Sequence, residues 1–306
     1  MAKPMRKIAT FAGIPNFSQL FPPPQQGTYE YFEGASSYPF DPNSTGHSPI
    51  NAWWMAELSL LTYCERHDVE QILKERFPAP KQAFFWLESN KTNTQGFGIE
   101  TDDYVVIALR GTEFPRPSSI LKTPRELLDI IADIQTDIQR LSPQPVTEGT
   151  PIFNVPVHPG FAQALQSVWT QIQVRLATNT KSLWLTGHSL GAAIATSLAY
   201  QLPERVKALY TFGSPCVGTA AFVESFNEKG LGAKTYRYLH GNDAVVNALD
   251  KYTLYEHVGR PFKLDAGMRR GMLLQGLNRI FGSITHISLL DHPPILYSYE
   301  CWNVIP

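Results

Sequence analysis

The chain has 306 residues, 43% of them hydrophobic, 12% aromatic and 17% charged, enough to bury a sizeable core and too apolar for disorder of the whole. Lys and Arg total 26 against 27 Asp and Glu, a formal net charge of -1, which argues against a nucleic-acid binder needing a basic excess. No apolar run approaches the roughly 18 residues of a membrane span, and Ile8–Ala12 after Lys3, Arg6 and Lys7 is too short for a secretory core.

Taken in chain order, residues 1–50 read as an irregular leader, punctuated by Pro22–Pro24, Pro39, Pro42 and Pro49. Residues 51–306 read as a single α/β domain. Trp53, Trp54, Met55, Leu58, Leu61 and Tyr63 recur at helical spacing over 51–76. Strands are expected at 82–88 and at 99–109, where Tyr104–Leu109 is a continuous apolar run suited to a strand covered on both faces. Leu127, Ile130, Ile131, Ile134, Ile138 and Leu141 mark one face of a helix. Helices at 160–178 and 192–202 then alternate with strands at 182–186, 209–212 and 235–239. That alternation implies βαβ units and a mostly parallel central sheet flanked by helices. Cys64, Cys216 and Cys301 suggest neither a disulfide framework nor a zinc site, so the expectation is a soluble, cytoplasmic protein.

Between a strand and a helix stands Gly187-His188-Ser189-Leu190-Gly191. A G-x-S-x-G pattern arises by chance in roughly 0.1 chains of this length, so the pattern alone is weak. Its strand–turn–helix setting makes it specific: the strained turn exposes the Ser189 hydroxyl and the helix N-terminus favours a developing oxyanion. A serine nucleophile needs a base, and the base an orienting carboxylate. Asp243 follows the strand at 235–239 directly, at the end of the sheet where an open α/β fold places its site. His240, His257, His286 and His292 all lie downstream, and position alone does not choose among them. Arg110-Gly111-Thr112 ends the apolar strand, so Thr112 and the N–H of Leu190 are the candidate oxyanion donors.

These residues together resemble the class 3 lipase family, the fungal-lipase-like branch of the α/β-hydrolases. The resemblance covers roughly residues 50–300. It rests on Ala108–Thr112, Val157–Phe161, Thr186–Ala193, Phe212–Gly218, Asn242–Val245 and Asp291-His292, in that order. It implies an α/β-hydrolase fold with Ser189 as nucleophile, Asp243 as orienting acid, His292 as base, and Thr112 and Leu190 in the oxyanion hole. The chain departs from the family in three ways. The family's aromatic follows the base more closely, whereas Pro293-Pro294 intervene here before Tyr297, which keeps His286 open as base; the signal and disulfides of the secreted fungal members are not expected here; and the connection after Thr112 is long. Cys216 also stands where the family often has Arg.

The chemistry so implied is carboxylester hydrolysis through an acyl-enzyme, with lipid esters as substrate and neither metal nor organic cofactor required. Residues 113–128 carry Phe114, Ile120, Leu121, Leu127 and Leu128 among prolines and charges, and are expected to form a lid. Met268–Phe281 alternates apolar residues with Arg269, Arg270 and Arg279, a pattern able to lie peripherally on a membrane or lipid-droplet surface or to pack on the core. Phospholipase A1 or soluble-ester esterase activity would use the same residues. A catalytically silent lipid-binding protein is the competing class.

Overall fold

A computed structural model describes residues 3–7, 10–11, 14–15, 29–77, 83–111, 153–246, 254–265 and 291–306. Helix α1 spans Pro49–Leu61, started by Ser48, whose hydroxyl accepts the Asn51 N–H at 3.2 Å, and by Pro49 in the first turn. Helix α2 spans Arg66–Arg76. The one helix expected over 51–76 is thus two. The chain tightens after Leu61, where Tyr63 N–H and Cys64 N–H bond to Leu60 and Leu61 carbonyls, and the Thr62 hydroxyl bonds back to Ser59 O at 2.7 Å. The break separates unlike surfaces: Asn51–Leu61 are all buried, whereas α2 buries only Val69 and Leu73.

Strands β1 (Ala83–Ser89), β2 (Thr94–Glu100) and β3 (Tyr104–Leu109) follow as an antiparallel meander. The single strand expected over 99–109 is divided at Thr101, whose hydroxyl accepts the N–H groups of Asp103 at 3.3 Å and Tyr104 at 3.1 Å and reverses the chain. Then come α3 (Pro159–Leu176), β4 (Ser182–His188), α4 (Leu190–Gln201), β5 (Val206–Phe212), α5 (Ala220–Glu228), β6 (Thr235–His240), β7 (Arg260–Leu264) and α6 (Pro294–Asn303). Among the described residues the main sheet has the order β7-β6-β5-β4-β3-β2-β1, and β3 to β7 are parallel. The helix expected near 127–141, the 113–128 segment and Met268–Phe281 lie outside the described residues.

Both faces of the sheet are covered, which explains the unbroken apolar strands. Val105, Ile107, Leu109, Leu183, Leu185 and Leu209 face one core with Phe161, Leu165, Ile194 and Leu198 of α3 and α4. Val106, Ala108, Trp184, Tyr210 and Phe212 face the other, with Trp53, Trp54 and Leu58 of α1 and Ile295, Tyr297 and Trp302 of α6. Alternate residues of each strand therefore serve opposite cores, and the carboxyl ends of β3, β4, β5 and β6 are left side by side.

Candidate active site

Strand β4 ends at His188 and α4 begins at Leu190, which leaves Ser189 alone in the turn at φ 56°, ψ −128°. A non-glycine residue held there costs on the order of 1–3 kcal/mol, so its neighbours must over-determine it. They do: Ser189 N–H donates to Phe212 O at 2.9 Å, and Ser189 O accepts the Ala192 N–H at 3.0 Å. The flanking glycines are steric requirements. A Cβ on Gly187 would stand 2.4 Å from the Gly191 carbonyl, and one on Gly191 would stand 2.1 Å from Leu109 O. Leu190, first in α4, presents one of the helix N–H groups that have no intrahelical acceptor.

Asp243 follows β6 through the Gly241-Asn242 turn, with Gly241 at φ 52°. Its Oδ1 accepts the Val245 N–H at 2.9 Å, and its Oδ2 accepts His292 Nδ1–H at 2.8 Å. His292 immediately precedes α6, and Ser189, Asp243 and His292 are each only 2% exposed. Since Nδ1 carries the proton given to Asp243, Nε2 is the free basic nitrogen. Among the described residues neither that nitrogen nor Ser189 Oγ has a hydrogen-bond partner. Catalytic hydrogen bonds are often loose or unformed before substrate binds.

The other candidates divide clearly. His188 lies under the site, its ring 4.5 Å from that of His292 and its Nε2–H donating to His292 O at 2.7 Å. Burial, and then the neighbouring His292, push its imidazole well below the usual range, so it is neutral. His240 pairs with Asp291, through Nδ1 to the backbone carbonyl at 2.9 Å, and His257 Nε2 reaches Val246 O at 3.1 Å; neither bonds Asp243. Thr112 and His286 lie outside the described residues. Gly111 is described, and a Cβ there would stand 3.2 Å from Ser189 Cβ, so the end of β3 reaches the serine.

Three further residues complete the site: Asp291 and Gly213 lie within the motifs that carry the resemblance and Tyr297 follows the proline pair, but the sequence assigned a role to none of them. Tyr297 donates its hydroxyl to Asp243 Oδ2 at 2.5 Å. Asp291 accepts the Asn242 N–H at 2.7 Å, stitching the segment before His292 to the turn before Asp243. Gly213, at φ 59°, floors the acid–base pair: a Cβ there would lie 2.8 Å from Asp243 Oδ2 and 3.1 Å from His292 Nδ1. The Pro293-Pro294 pair, a departure in the sequence, is the start of α6, with Pro294 in the first turn. One turn further, the helix presents Tyr297 to Asp243. Among the described residues no group of three or more His, Cys, Asp or Glu could hold a metal ion.

A mostly parallel sheet whose strand ends bring together a strained serine, a buried imidazole and a carboxylate defines an α/β-hydrolase fold. Residues 106–252 match the sequence model of the lipase (class 3) family. Among curated relatives, a secreted mono- and diacylglycerol lipase of Fusarium solani is 36% identical over 118 residues, 36% of this chain and 35% of the relative. A secreted mono- and diacylglycerol lipase of Malassezia restricta is 27% identical over 146 residues, 44% of this chain and 47% of the relative. The chain thus spans less than half the length of these relatives. The crystal structure of a lipase from Rhizopus microsporus var. chinensis is similar in fold, with TM-score 0.51 and 22% identity over 84% of each chain.

Proposed function

We propose that the chain is a serine carboxylester hydrolase acting on lipid esters, triacylglycerol lipase-like, through an acyl-enzyme intermediate. The observation that carries this reading is the buried Asp243–His292 bond of 2.8 Å beside a serine held at φ 56°. In this mechanism His292 Nε2 takes the Ser189 proton as Oγ attacks the ester carbonyl. The N–H groups of Leu190 and Thr112 receive the oxyanion; the approach of Gly111 to Ser189 supports that role for Thr112. Collapse of the tetrahedral species expels the alcohol, which takes the proton from His292. Water then repeats the sequence on the acyl-enzyme and releases the carboxylic acid. Asp243 holds the imidazole with Nδ1 protonated and stabilises its charged form throughout.

The depth of the three side chains supports a lid reading for 113–128, since an ester reaches Ser189 only when the site opens. Deleting 115–125 should abolish any preference for emulsified over monomeric ester. Peripheral association with a lipid surface through Met268–Phe281 belongs to the same reading, and charge reversal at Arg269, Arg270 and Arg279 should weaken vesicle co-sedimentation. No helix among the described residues is long and apolar enough to cross a membrane. Three buried cysteines, none of them in a disulfide among the described residues, support a reducing, cytoplasmic compartment, while the relatives are named as secreted; recovery of the protein from culture medium would overturn the cytoplasmic reading.

The test is hydrolysis of an ester series from short to long acyl chains, wild type beside Ser189→Ala. Activity rising with chain length and falling about ten-thousandfold or more in the variant is the expected result. Activity confined to short soluble esters would make the protein an esterase. Equal inertness of both proteins would favour the silent lipid-binding class.

A further inference from the structure

Tyr63 lies in the turn that ends α1, 125 residues from His188 in sequence, and its ring is fully buried. Its hydroxyl oxygen accepts the N–H of Gly111, at the end of β3, and its O–H donates to His188 Nδ1 at 2.9 Å. A Cβ on Gly111 would stand 2.4 Å from the Tyr63 hydroxyl and 2.7 Å from His188 O, so no other residue lets these three approach. On the far side of the imidazole, Nε2–H donates to the backbone carbonyl of His292 at 2.7 Å. The bonds run in one direction: Gly111 N–H to Tyr63, Tyr63 O–H to His188 Nδ1, His188 Nε2–H to His292 O.

A neutral imidazole has one donor and one acceptor nitrogen, and its tautomer is set by whichever partner is fixed. A carbonyl can only accept, so His292 O requires the proton on Nε2. Tyr63 O–H supplies the complementary donor to Nδ1. Without it, the Nδ1–H tautomer becomes accessible, and that tautomer turns a lone pair toward a carbonyl 2.7 Å away. Repulsion there acts on the backbone of His292, whose ring must reach both Asp243 and Ser189. Burial favours the uncharged ring at this position, so protonating both nitrogens offers no escape.

We propose that Tyr63 and His188 are positioning residues, with Tyr63 locking the His188 tautomer that holds the backbone of His292, and with it the base, in register with Ser189 and the end of β3. Neither touches substrate in this scheme. The inference rests on the hydrolase reading for its catalytic consequence, but the tautomer itself does not.

Two measurements separate the two. The first uses 15N-histidine-labelled protein and long-range 1H–15N correlation spectra. His188 should be the Nε2–H tautomer in the wild type and should gain an Nδ1–H population in Tyr63→Phe. An unchanged tautomer overturns the proposal whether or not the protein hydrolyses esters. The second is turnover of a soluble nitrophenyl ester, together with the rate of Ser189 modification by a nitrophenyl alkylphosphonate, in a double-variant cycle. Tyr63→Phe alone should lower kcat and the modification rate about tenfold with KM within about twofold, short of the ~100-fold of a 1 Å misplacement. Glutamine at position 188 offers an amide donor that has no tautomer to lose. In the His188→Gln background, Tyr63→Phe should therefore cost less than about twofold. Equal losses in the two backgrounds would mean that the phenol hydroxyl matters only for packing, and would overturn the proposal. Failure of wild-type protein to react at Ser189, with the tautomer as expected, would instead overturn the hydrolase reading.

Discussion

At 2.5 Å the Tyr297 hydroxyl is nearer to Asp243 than either His292 Nδ1 at 2.8 Å or Val245 N at 2.9 Å. Burial, then the charge of Asp243, push the phenol well above its ordinary range, so it remains a donor at every working pH. A hydrogen bond to a charged group contributes about 1.5–3 kcal/mol. In the proposed mechanism part of that is felt as orientation of the carboxylate when His292 becomes cationic, so Tyr297→Phe should lower kcat about tenfold and leave KM within about twofold. Steady-state kinetics on a soluble ester measures this, and an unchanged kcat would remove Tyr297 from the site. Ser189 and Asp243 stood out as candidates in sequence because turn chemistry at strand ends marks them, whereas the four downstream histidines followed from chain order alone and only the family resemblance chose His292 among them. Tyr297 was not, because what brings it to Asp243 is a helical turn started by two prolines, which look like an interruption when read as sequence. Tyr63 carried no local signal at all beyond an apolar helical face.

Helices α3 and α4 pack together over one face of the sheet, and α3 is capped by a titratable group. His158 Nδ1 accepts the Gly160 N–H at 3.2 Å, and burial lowers its pKa from 6.5 to about 4. The neutral ring is required twice over, since a proton on Nδ1 abolishes the cap and adds charge at the positive end of the helix. Because the folded-state pKa lies below the unfolded value, the contribution is intact above pH 6.5 and is lost as pH falls from there towards 4. By pH 5 this one group should have cost roughly 2 kcal/mol. His158→Asn retains a capping acceptor without titrating, so urea midpoints at pH 7.5 and 5 should differ less in the variant than in the wild type. Parallel behaviour of the two proteins would show that another group carries the acid sensitivity. The elements themselves were legible where an apolar run was unbroken, as at Tyr104–Leu109 of β3. The breaks at Thr62 and Thr101 were not, because each is made by a hydroxyl bonding to nearby backbone rather than by glycine or proline.

Across the whole molecule, the described N-terminal residues pack on the α1–α6 face rather than trailing from it. Lys3 Nζ donates to the carbonyls of Trp302 at 2.6 Å and Ile305 at 2.5 Å, and Arg6 N–H donates to Asn303 Oδ1 at 2.9 Å. The Arg6 guanidinium lies 4.1 Å over the Trp302 ring and pairs at 3.3 Å with Glu57 on α1. Glu57 is 0% exposed and also accepts the Phe32 N–H at 2.8 Å and the hydroxyls of Tyr29 and Ser298. One carboxylate therefore joins the leader, α1 and α6, the helix that carries Tyr297 and starts just after His292. No pattern in the sequence links positions 51 residues apart, which is why Lys3, Arg6 and Lys7 were weighed in sequence only as the basic start of a secretory segment. Removing one partner of a buried ion pair costs about 3–5 kcal/mol, and the remaining donors to Glu57 reduce that, so Arg6→Ala should destabilise the fold by about 2–3 kcal/mol. Glu57→Gln in the same chain should recover most of the loss, because the amide leaves no unpaired buried charge. The double-variant cycle in urea decides the matter: a loss below about 0.5 kcal/mol for Arg6→Ala would make this pair equivalent to an exposed one. It would also leave the leader a passive cover rather than part of what holds α6 against Asp243.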